Sequence, residues 1–223
     1  MTELLKENTQ GNKSGEKPEN TSELGSSLPT TLLQRLKTET APMHRDMEKI
    51  ECLKKIFDGT NTLENYKLII SKFYSFIKTV ESELENNTTL SEELKAFLPD
   101  YPQRLRSSLL ARDLEILGIN KKEIKQCSTR PKLETLENFF GYFYVIEGSS
   151  LGGIHIHKAL ASTFQDLVKE YNYFNSYGNE THAKWKGFCG AITDFSSQRG
   201  QTEEIVNSAK ETFVKLYQHF QQP

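Results

Sequence analysis

Apolar side chains recur at steps of three and four residues along most of the chain after residue 30, which is the spacing of one face of an α-helix. Similar segments follow at residues 62–87, 102–118, 132–164, 181–196 and 201–222. The alternating pattern of a half-buried strand and the Asn-Gly or Asp-Gly turns of hairpins are absent. The sequence therefore predicts an all-α, single-domain, multi-helix fold. The stripe of the first segment consists of Leu33, Leu36, Thr40, Met43, Met47 and Ile50.

The N-terminal end of the chain differs in composition from the rest. Residues 1–28 are rich in Lys, Glu, Asn, Ser and Gly and contain no aromatic residue. Such a segment buries too little apolar surface to fold, so we expect a disordered tail over residues 1–28 and a helical domain over residues 29–223. The tail has no apolar core typical of a secretory signal, and the chain has no run of about 18 apolar residues, so we expect no membrane segment.

Charge and cysteine usage narrow the classes of partner and compartment. Lys and Arg total 28 against 30 Asp and Glu, a net charge of −2, which does not favour a nucleic-acid partner. Cys52, Cys127 and Cys189 are isolated and form no C-x-x-C pair, so neither a zinc ribbon nor a disulfide framework is indicated. Free cysteines fit a reducing cytoplasm.

Three glycines and two serines occupy residues 148–153, inside the long segment 132–164. Each glycine in a helix interior costs about 1 kcal/mol relative to alanine, so their concentration needs a reason. Gly148 with Gly152, and Ser149 with Gly153, are spaced i, i+4 and make one smooth helix face. Such a face lets another object approach the backbone. From the residues alone, that object is either a neighbouring helix or a flat ligand such as a porphyrin.

His44 lies beside the apolar stripe of the first helix, between Met43 and Met47. Imidazole is a common axial ligand of haem iron in an apolar pocket; the alternative is a histidine at the edge of the stripe. Lys37 lies two turns earlier, about 10 Å away on the same face, where it either meets a ligand carboxylate or is solvated. No glutamate lies three residues before any histidine, which argues against a helical di-iron site. His219 is expected to be solvated.

Four stretches, in order, are similar to the heme oxygenases that produce biliverdin, especially to bacterial members of the type associated with bacteriophytochromes. They are LKTETAPMHRDME at residues 36–48, RLRSSLLARDLEILG at residues 104–118, YVIEGSSLGG at residues 144–153 and YFNSYGNETHAKWKGF at residues 173–188. Together they extend over nearly the whole chain after the tail. The resemblance implies haem sandwiched between a proximal helix and a kinked distal helix.

This resemblance also implies roles for individual residues. His44 matches the proximal iron ligand, and Lys37 matches a lysine that pairs with a haem propionate. The glycines of the third stretch match those that lie against the distal face of haem, which are Gly148, Gly152 and Gly153. Ser149 stands where animal members carry an aspartate that organises distal water. The resemblance therefore implies that Ser149 and the neighbouring distal glycines, Gly148 and Gly152, are the catalytic residues. The C-terminal basic residues that bind the second propionate in animal members have no clear counterpart here, and Lys184 and Lys186 are the nearby candidates for that role.

The activity implied by the resemblance is cleavage of haem, which serves as both substrate and cofactor, to biliverdin, CO and ferrous iron. The reaction would consume O₂ and electrons from an external donor such as a ferredoxin, a flavodoxin or a reductase, with a phytochrome as a candidate biliverdin acceptor. Two alternatives are a non-catalytic haem-binding or haem-sensing protein of the same fold, and an all-α interaction protein in which the glycines serve helix packing.

Overall fold

The computed structural model describes residues 30–168 and 172–222, and this part of the chain contains helices and no strand. The all-α prediction is therefore confirmed. The predicted disordered tail, residues 1–28, lies outside the described residues, so the boundary at residue 29 stays a prediction. No helix within the described ranges is long and apolar enough to cross a membrane. The α-helices are α1 (Leu32–Glu48), α2 (Glu51–Phe57), α3 (Leu63–Asn86), α4 (Thr88–Phe97), α5 (Ser107–Ile116), α6 (Leu136–Thr163), α7 (Thr181–Arg199) and α8 (Thr202–Gln221).

Side-chain caps determine where several of these helices begin. Thr62, the N-cap of α3, accepts a hydrogen bond from the backbone N–H of Asn65. Thr31 and Thr135 form capping boxes at the starts of α1 and α6. Asn87 is the C-cap of α3, and its side chain also accepts from the backbone N–H of Leu90 at the start of α4.

The segment predicted as one helix over residues 102–118 is divided. It contains a 3₁₀ helix, Tyr101–Arg104, followed by α5 from Ser107. The buried carboxylate of Glu81 on α3 accepts from the backbone N–H groups of Arg106, at 2.5 Å, and Ser107, at 2.9 Å. These two bonds satisfy donors at the helix start that otherwise have no intrahelical partner. The start of α5 is thus held by a residue of another helix.

Helix α8 holds α1 and α6 in place. Both α1 and α6 pack more extensively against α8 than against any other element. At Gly141 of α6 the approach is so close that a Cβ atom would lie 2.6 Å from the Cβ of Ser208. Ser208 also donates a hydrogen bond of 2.9 Å to the carbonyl of Asn138. Because α8 contacts both helices, it sets the separation between α1 and α6.

His219 on α8 is buried, so the expectation that it is solvated is wrong. Its side chain packs near Phe76, and its Nε2 lies 3.1 Å from the carbonyl oxygen of Lys72 on α3. Burial lowers the pKa of His219. The histidine faces the core because it lies on the buried stripe of α8 with Phe213, Leu216 and Phe220.

Candidate functional site

A cavity of about 600 Å³ lies between α1 and α6. Its volume falls within the usual range for small-molecule and cofactor sites. Most of its wall is apolar, and side chains from α2, α7 and α8 complete it. These include Leu53, Ile56, Phe57, Trp185, Phe213 and Leu216. The cavity therefore suits a largely apolar ligand that touches several helices at once.

On the α1 side, the cavity is lined by the face that carries Lys37, Thr40 and His44, as the sequence spacing predicts. The His44 ring packs edge-on against Phe213, with a centroid distance of 6.1 Å. Its Nδ1 lies 3.5 Å from Oε1 of Glu48, one turn further along the helix. A metal-binding histidine commonly donates its second ring N–H to a carboxylate, which leaves the other nitrogen for the metal. In the His44–Glu48 pair the carboxylate lies near Nδ1, but the structure forms no hydrogen bond between them.

On the α6 side, Gly148, Ser149 and Gly152 line the cavity. A Cβ atom on Gly152 would meet nothing within 4 Å, and one on Gly148 would meet only the Trp185 ring at 3.6 Å. Helix α6 continues as an α-helix through all three glycines, and the predicted kink stays a prediction. The wall opposite His44 thus presents helix backbone with little side-chain cover.

Gly153 does not share this face. A Cβ atom there would lie 2.4 Å from the backbone oxygen of Phe174, which belongs to the 3₁₀ helix Tyr173–Asn175. No L side chain fits so close to a fixed carbonyl, so Gly153 permits α6 to pack against this segment. The structure therefore places Gly153 in a packing contact, away from the cavity where the sequence analysis expected it. The small residues therefore divide between the two alternatives. Gly153 serves packing, whereas Gly148, Ser149 and Gly152 line the cavity.

Lys37 is the one lysine or arginine among the described residues that line this cavity. The two other predicted propionate partners do not reach it. The Nζ atom of Lys184 lies 3.0 Å from Asp100 and 3.2 Å from Gln103, and Lys184 does not line the cavity. Lys186 is exposed and lines no part of the cavity. Neither lysine is therefore placed to receive a carboxylate of a ligand bound between α1 and α6.

Cys189 also lines the cavity, and a cysteine thiolate is a second side chain that can bind haem iron. Burial raises the pKa of the Cys189 thiol, which disfavours the thiolate. A protonated thiol is a weak ligand, whereas a neutral imidazole binds iron without losing a proton. Within the described ranges no group of three or more His, Cys, Asp and Glu side chains could hold a metal ion. His44 is therefore the best candidate for a single metal–protein bond.

A buried ion cluster lies behind α6, immediately before Gly148. Glu147, with no exposed surface, accepts from Arg104 at 2.6 Å and from Arg106 at 2.9 Å. The hydroxyl of Tyr177 donates to the same carboxylate at 2.8 Å, and the Arg106 guanidinium lies 4.1 Å above the Tyr177 ring. Because the carboxylate is held from three sides, the cluster fixes the rotation of α6 at its cavity-lining turn.

This cluster was not predicted from the sequence. One local signal was available, because Glu147 is a lone acid directly after the apolar run FFGYFYVI, where burial is expected. A second signal was the closely spaced pair Arg104 and Arg106. Neither signal names the partner, since the arginines are more than 40 residues away along the chain.

Comparisons with known proteins agree on one family. A sequence profile described as Heme oxygenase matches residues 30–222. Heme oxygenase 1 from Pongo abelii is 32% identical over 90 residues, and the human protein is 31% identical over 90 residues. Each of these matches covers 40% of this chain and 30% of the relative, so the chain aligns with about a third of the length of these relatives.

Solved structures support the fold. A heme oxygenase from Neisseria meningitidis, studied with NO and CO bound, superimposes with a TM-score of 0.66 at 20% identity and covers 86% of this chain and 94% of its own. Heme oxygenase-1 from the cyanobacterium Synechocystis, in complex with heme, gives 0.67 at 18% identity, with coverages of 85% and 90%. The protein from Leptospira interrogans gives 0.68 at 16% identity, with coverages of 85% and 98%. The family profile spans the described domain from end to end, and this chain therefore belongs to the heme oxygenase family.

Proposed function

We propose that this protein is a heme oxygenase, which cleaves haem to biliverdin, CO and ferrous iron with O₂ and electrons from an external donor. The observation that carries the proposal is the apolar cavity in which His44 on α1 faces the bare backbone of α6 at Gly148 and Gly152. Membership of the family supports the same conclusion.

The cavity has the features that a flat, largely apolar ring with an iron at its centre and carboxylates at its rim requires. It offers one imidazole, and most of its lining is apolar. Across from the imidazole, a Cβ atom on Gly152 would meet only open space, so the ring has room against the backbone. Lys37 lies at the wall on the same helix face as His44 and provides a positive charge. When bound, haem would supply the iron that binds O₂ and the porphyrin rim that is oxidised.

Each of these residues has a distinct role in the proposal. His44 would hold the iron, with the Glu48 carboxylate one turn along the helix and near its Nδ1. Lys37 would pair with one propionate and so limit how the ring rotates in its plane. Gly148 and Gly152 would allow close approach of the ring to α6. The hydroxyl of Ser149 donates to the carbonyl of Ile146 at 2.7 Å, so its oxygen remains free to accept from water.

The proposal extends to partners and location. The electron donor would be a ferredoxin, a flavodoxin or a reductase, and a phytochrome would be one acceptor of the product. A cytoplasmic location is supported by the three cysteines, which are all free thiols. The charge balance gives no support to a nucleic-acid partner.

The test is a titration of the purified protein with hemin, followed by addition of reductant and O₂ while the visible spectrum is recorded. We expect a saturable haem complex that converts to a bile-pigment band. A stable complex that never yields the band would favour the alternative, a haem-binding or haem-sensing protein that does not turn over. The absence of any saturable complex would overturn both.

The ligand assignment is tested by His44→Ala, with His155→Ala as the matched control because His155 is exposed on α6 and does not line the cavity. We expect His44→Ala to lose turnover and added imidazole to restore part of the haem spectrum, since free imidazole can occupy the emptied position. His155→Ala should behave like the unaltered protein. An unchanged pigment yield in His44→Ala would show that another side chain binds the iron.

A further inference from the structure

Phe57, the last residue of α2, is largely exposed although its side chain lines the main cavity. Among the described residues four large apolar side chains are exposed, and Phe57, at 62%, exceeds the next, Leu68, at 44%. The other three, which are Leu68, Val214 and Tyr217, line no part of this cavity. Apolar area in contact with water is unfavourable in proportion to its size. Phe57 is therefore the exposed apolar side chain that a ligand in the cavity can cover.

The cavity is open to solvent beside Phe57. The preceding residue, Ile56, also lines the cavity but is buried, so the wall changes from buried to exposed between these two neighbours. On α1, the side chains of His44 and Glu48 line the cavity and are both mostly exposed. Phe57 thus belongs to the rim of the cavity, whereas Ile56 belongs to its interior wall.

The backbone at Phe57 is held in place, whereas its ring is not. Directly after it, the backbone N–H of Thr60 donates to the Asp58 carboxylate at 3.0 Å, and the Thr60 hydroxyl donates to the same oxygen. Tyr144 and Trp185, which also line the cavity, pack against each other with a centroid distance of 5.7 Å. Phe57 has no such ring partner in the described part of the chain. Its ring can therefore turn towards a ligand without a change in the backbone, as exposed side chains do within nanoseconds.

We propose that Phe57 is a further ligand-binding residue, whose ring closes over the rim of the cavity once haem is bound and is buried only in the complex. The inference rests on the function proposed above, because a flat apolar ring that fills the cavity is the surface that Phe57 covers. The contact is made with the carbon framework of the ligand, so it does not depend on the iron. A contact that forms after the ligand has entered slows its release rather than assisting its entry.

The contact is tested by titrations with hemin and with protoporphyrin IX, which is the same ring without iron. Binding is followed by the fluorescence of Trp185, the only tryptophan of the chain and a residue of the cavity wall. Burial of the exposed part of a phenylalanine side chain changes a binding constant about 5- to 30-fold. We expect Phe57→Ala to weaken the binding of both rings by this same factor, and Phe57→Leu to retain part of the affinity. In contrast, His44→Ala should weaken hemin binding much more than protoporphyrin IX binding.

Leu68→Ala is the matched control, because Leu68 is also apolar and exposed but does not line the cavity. Either substitution to alanine should change the Tm of the free protein by less than about 2 °C, since both side chains are exposed. Leu68→Ala should bind both rings like the unaltered protein. Equal protoporphyrin IX affinities in Phe57→Ala and Leu68→Ala would overturn the inference. A Tm of Phe57→Ala several degrees below that of Leu68→Ala would also overturn it, because the ring would then be packed in the free protein.

The covering role is tested by the rate of release. The unaltered protein and Phe57→Ala, each loaded with hemin, are mixed with an excess of a haem-scavenging protein, and the loss of the complex is followed by absorbance. We expect release to be about 5- to 30-fold faster in the variant, with an association rate changed by less than about threefold. A loss of affinity that lies entirely in the association rate would overturn the covering role.

A crystal structure of the hemin complex provides the direct check. The Phe57 ring should contact the macrocycle and lose about half or more of the 62% exposure that it has in the free protein. A ring that keeps this exposure in the complex would overturn the inference. A protein that binds hemin under Phe57 but yields no bile pigment would overturn the proposed function alone. Failure of the unaltered protein to bind either ring would overturn both.

Discussion

Replacing Gly152 by alanine separates the stability of the protein from its affinity for a ligand. In the free protein the new methyl group would point into the cavity, where it meets nothing within 4 Å. Alanine is favoured over glycine in a helix interior by about 1 kcal/mol. We therefore expect the variant without ligand to gain about 1 kcal/mol in unfolding free energy, which for a domain of this size raises the Tm by about 2–4 °C.

The same methyl group occupies the space that the proposed haem ring needs against α6. Inserting a methyl group into a packed contact costs about 1–3 kcal/mol, which corresponds to hemin binding weaker by about 5- to 150-fold. Thermal unfolding of the free protein and a hemin titration followed by absorbance measure the two effects separately. A Gly152→Ala variant that binds hemin as tightly as the unaltered protein would refute the assignment of this wall to the ligand.

Gly153→Ala is the matched control, one residue further along the same helix. Its methyl group would lie 2.4 Å from the backbone oxygen of Phe174, so the gain in helix propensity is opposed by a clash of about 1–3 kcal/mol. We expect an unfolding free energy about 0–2 kcal/mol below that of the unaltered protein, with little change in hemin affinity. The opposite result would be weaker hemin binding in Gly153→Ala and unchanged binding in Gly152→Ala. It would show that the ligand lies against a different face of α6.

Two further predictions concern buried carboxylates. Glu147→Gln should lower the unfolding free energy by about 3–5 kcal/mol in urea titrations, because it leaves Arg104 and Arg106 without their buried counter-charge. The control is Glu48→Gln at an exposed site, which should change the unfolding free energy by less than about 0.5 kcal/mol. Burial raises the pKa of Asp113 from 3.8 to about 6, so the folded state holds a proton more tightly than the unfolded state. Protonated Asp113 should therefore stabilise the protein below about pH 4, and about 3 kcal/mol of this contribution should be lost as the pH rises through 6. Asp113→Asn should lack this pH dependence. Identical urea stability profiles for Asp113→Asn and the unaltered protein from pH 4 to pH 7 would contradict the raised pKa.

The features that the sequence predicts well are those determined by residues close together in the chain. The start of α3 follows from Thr62 and the apolar stripe after it, and Lys37 and His44 share a face because both lie on one regular helix. The division of α1 from α2 was not predicted, because Ile50 continues the apolar stripe although the helix ends at Glu48.

Features that depend on distant residues could not be derived in this way. The start of α5 is held by Glu81, which is 25 residues earlier. The small residues of α6 show the same limit, because the i, i+4 spacing puts four of them on one side, whereas the position of Phe174 decides that Gly153 is used for packing. Helical spacing identifies a face, but only the neighbouring chain determines what that face contacts.

The common support of α1 and α6 by α8 has a consequence for any molecule bound between them. Helices α1 and α6 are otherwise connected chiefly through α8. A ligand that touches both helices therefore adds a second, direct connection between them. The bound molecule would then make the fold more rigid as well as fill the cavity. Its affinity would depend on how firmly α1 and α6 pack against α8. Residues at the contact of Gly141 with Ser208 would influence ligand affinity from a distance, because they set the spacing that the ligand must span.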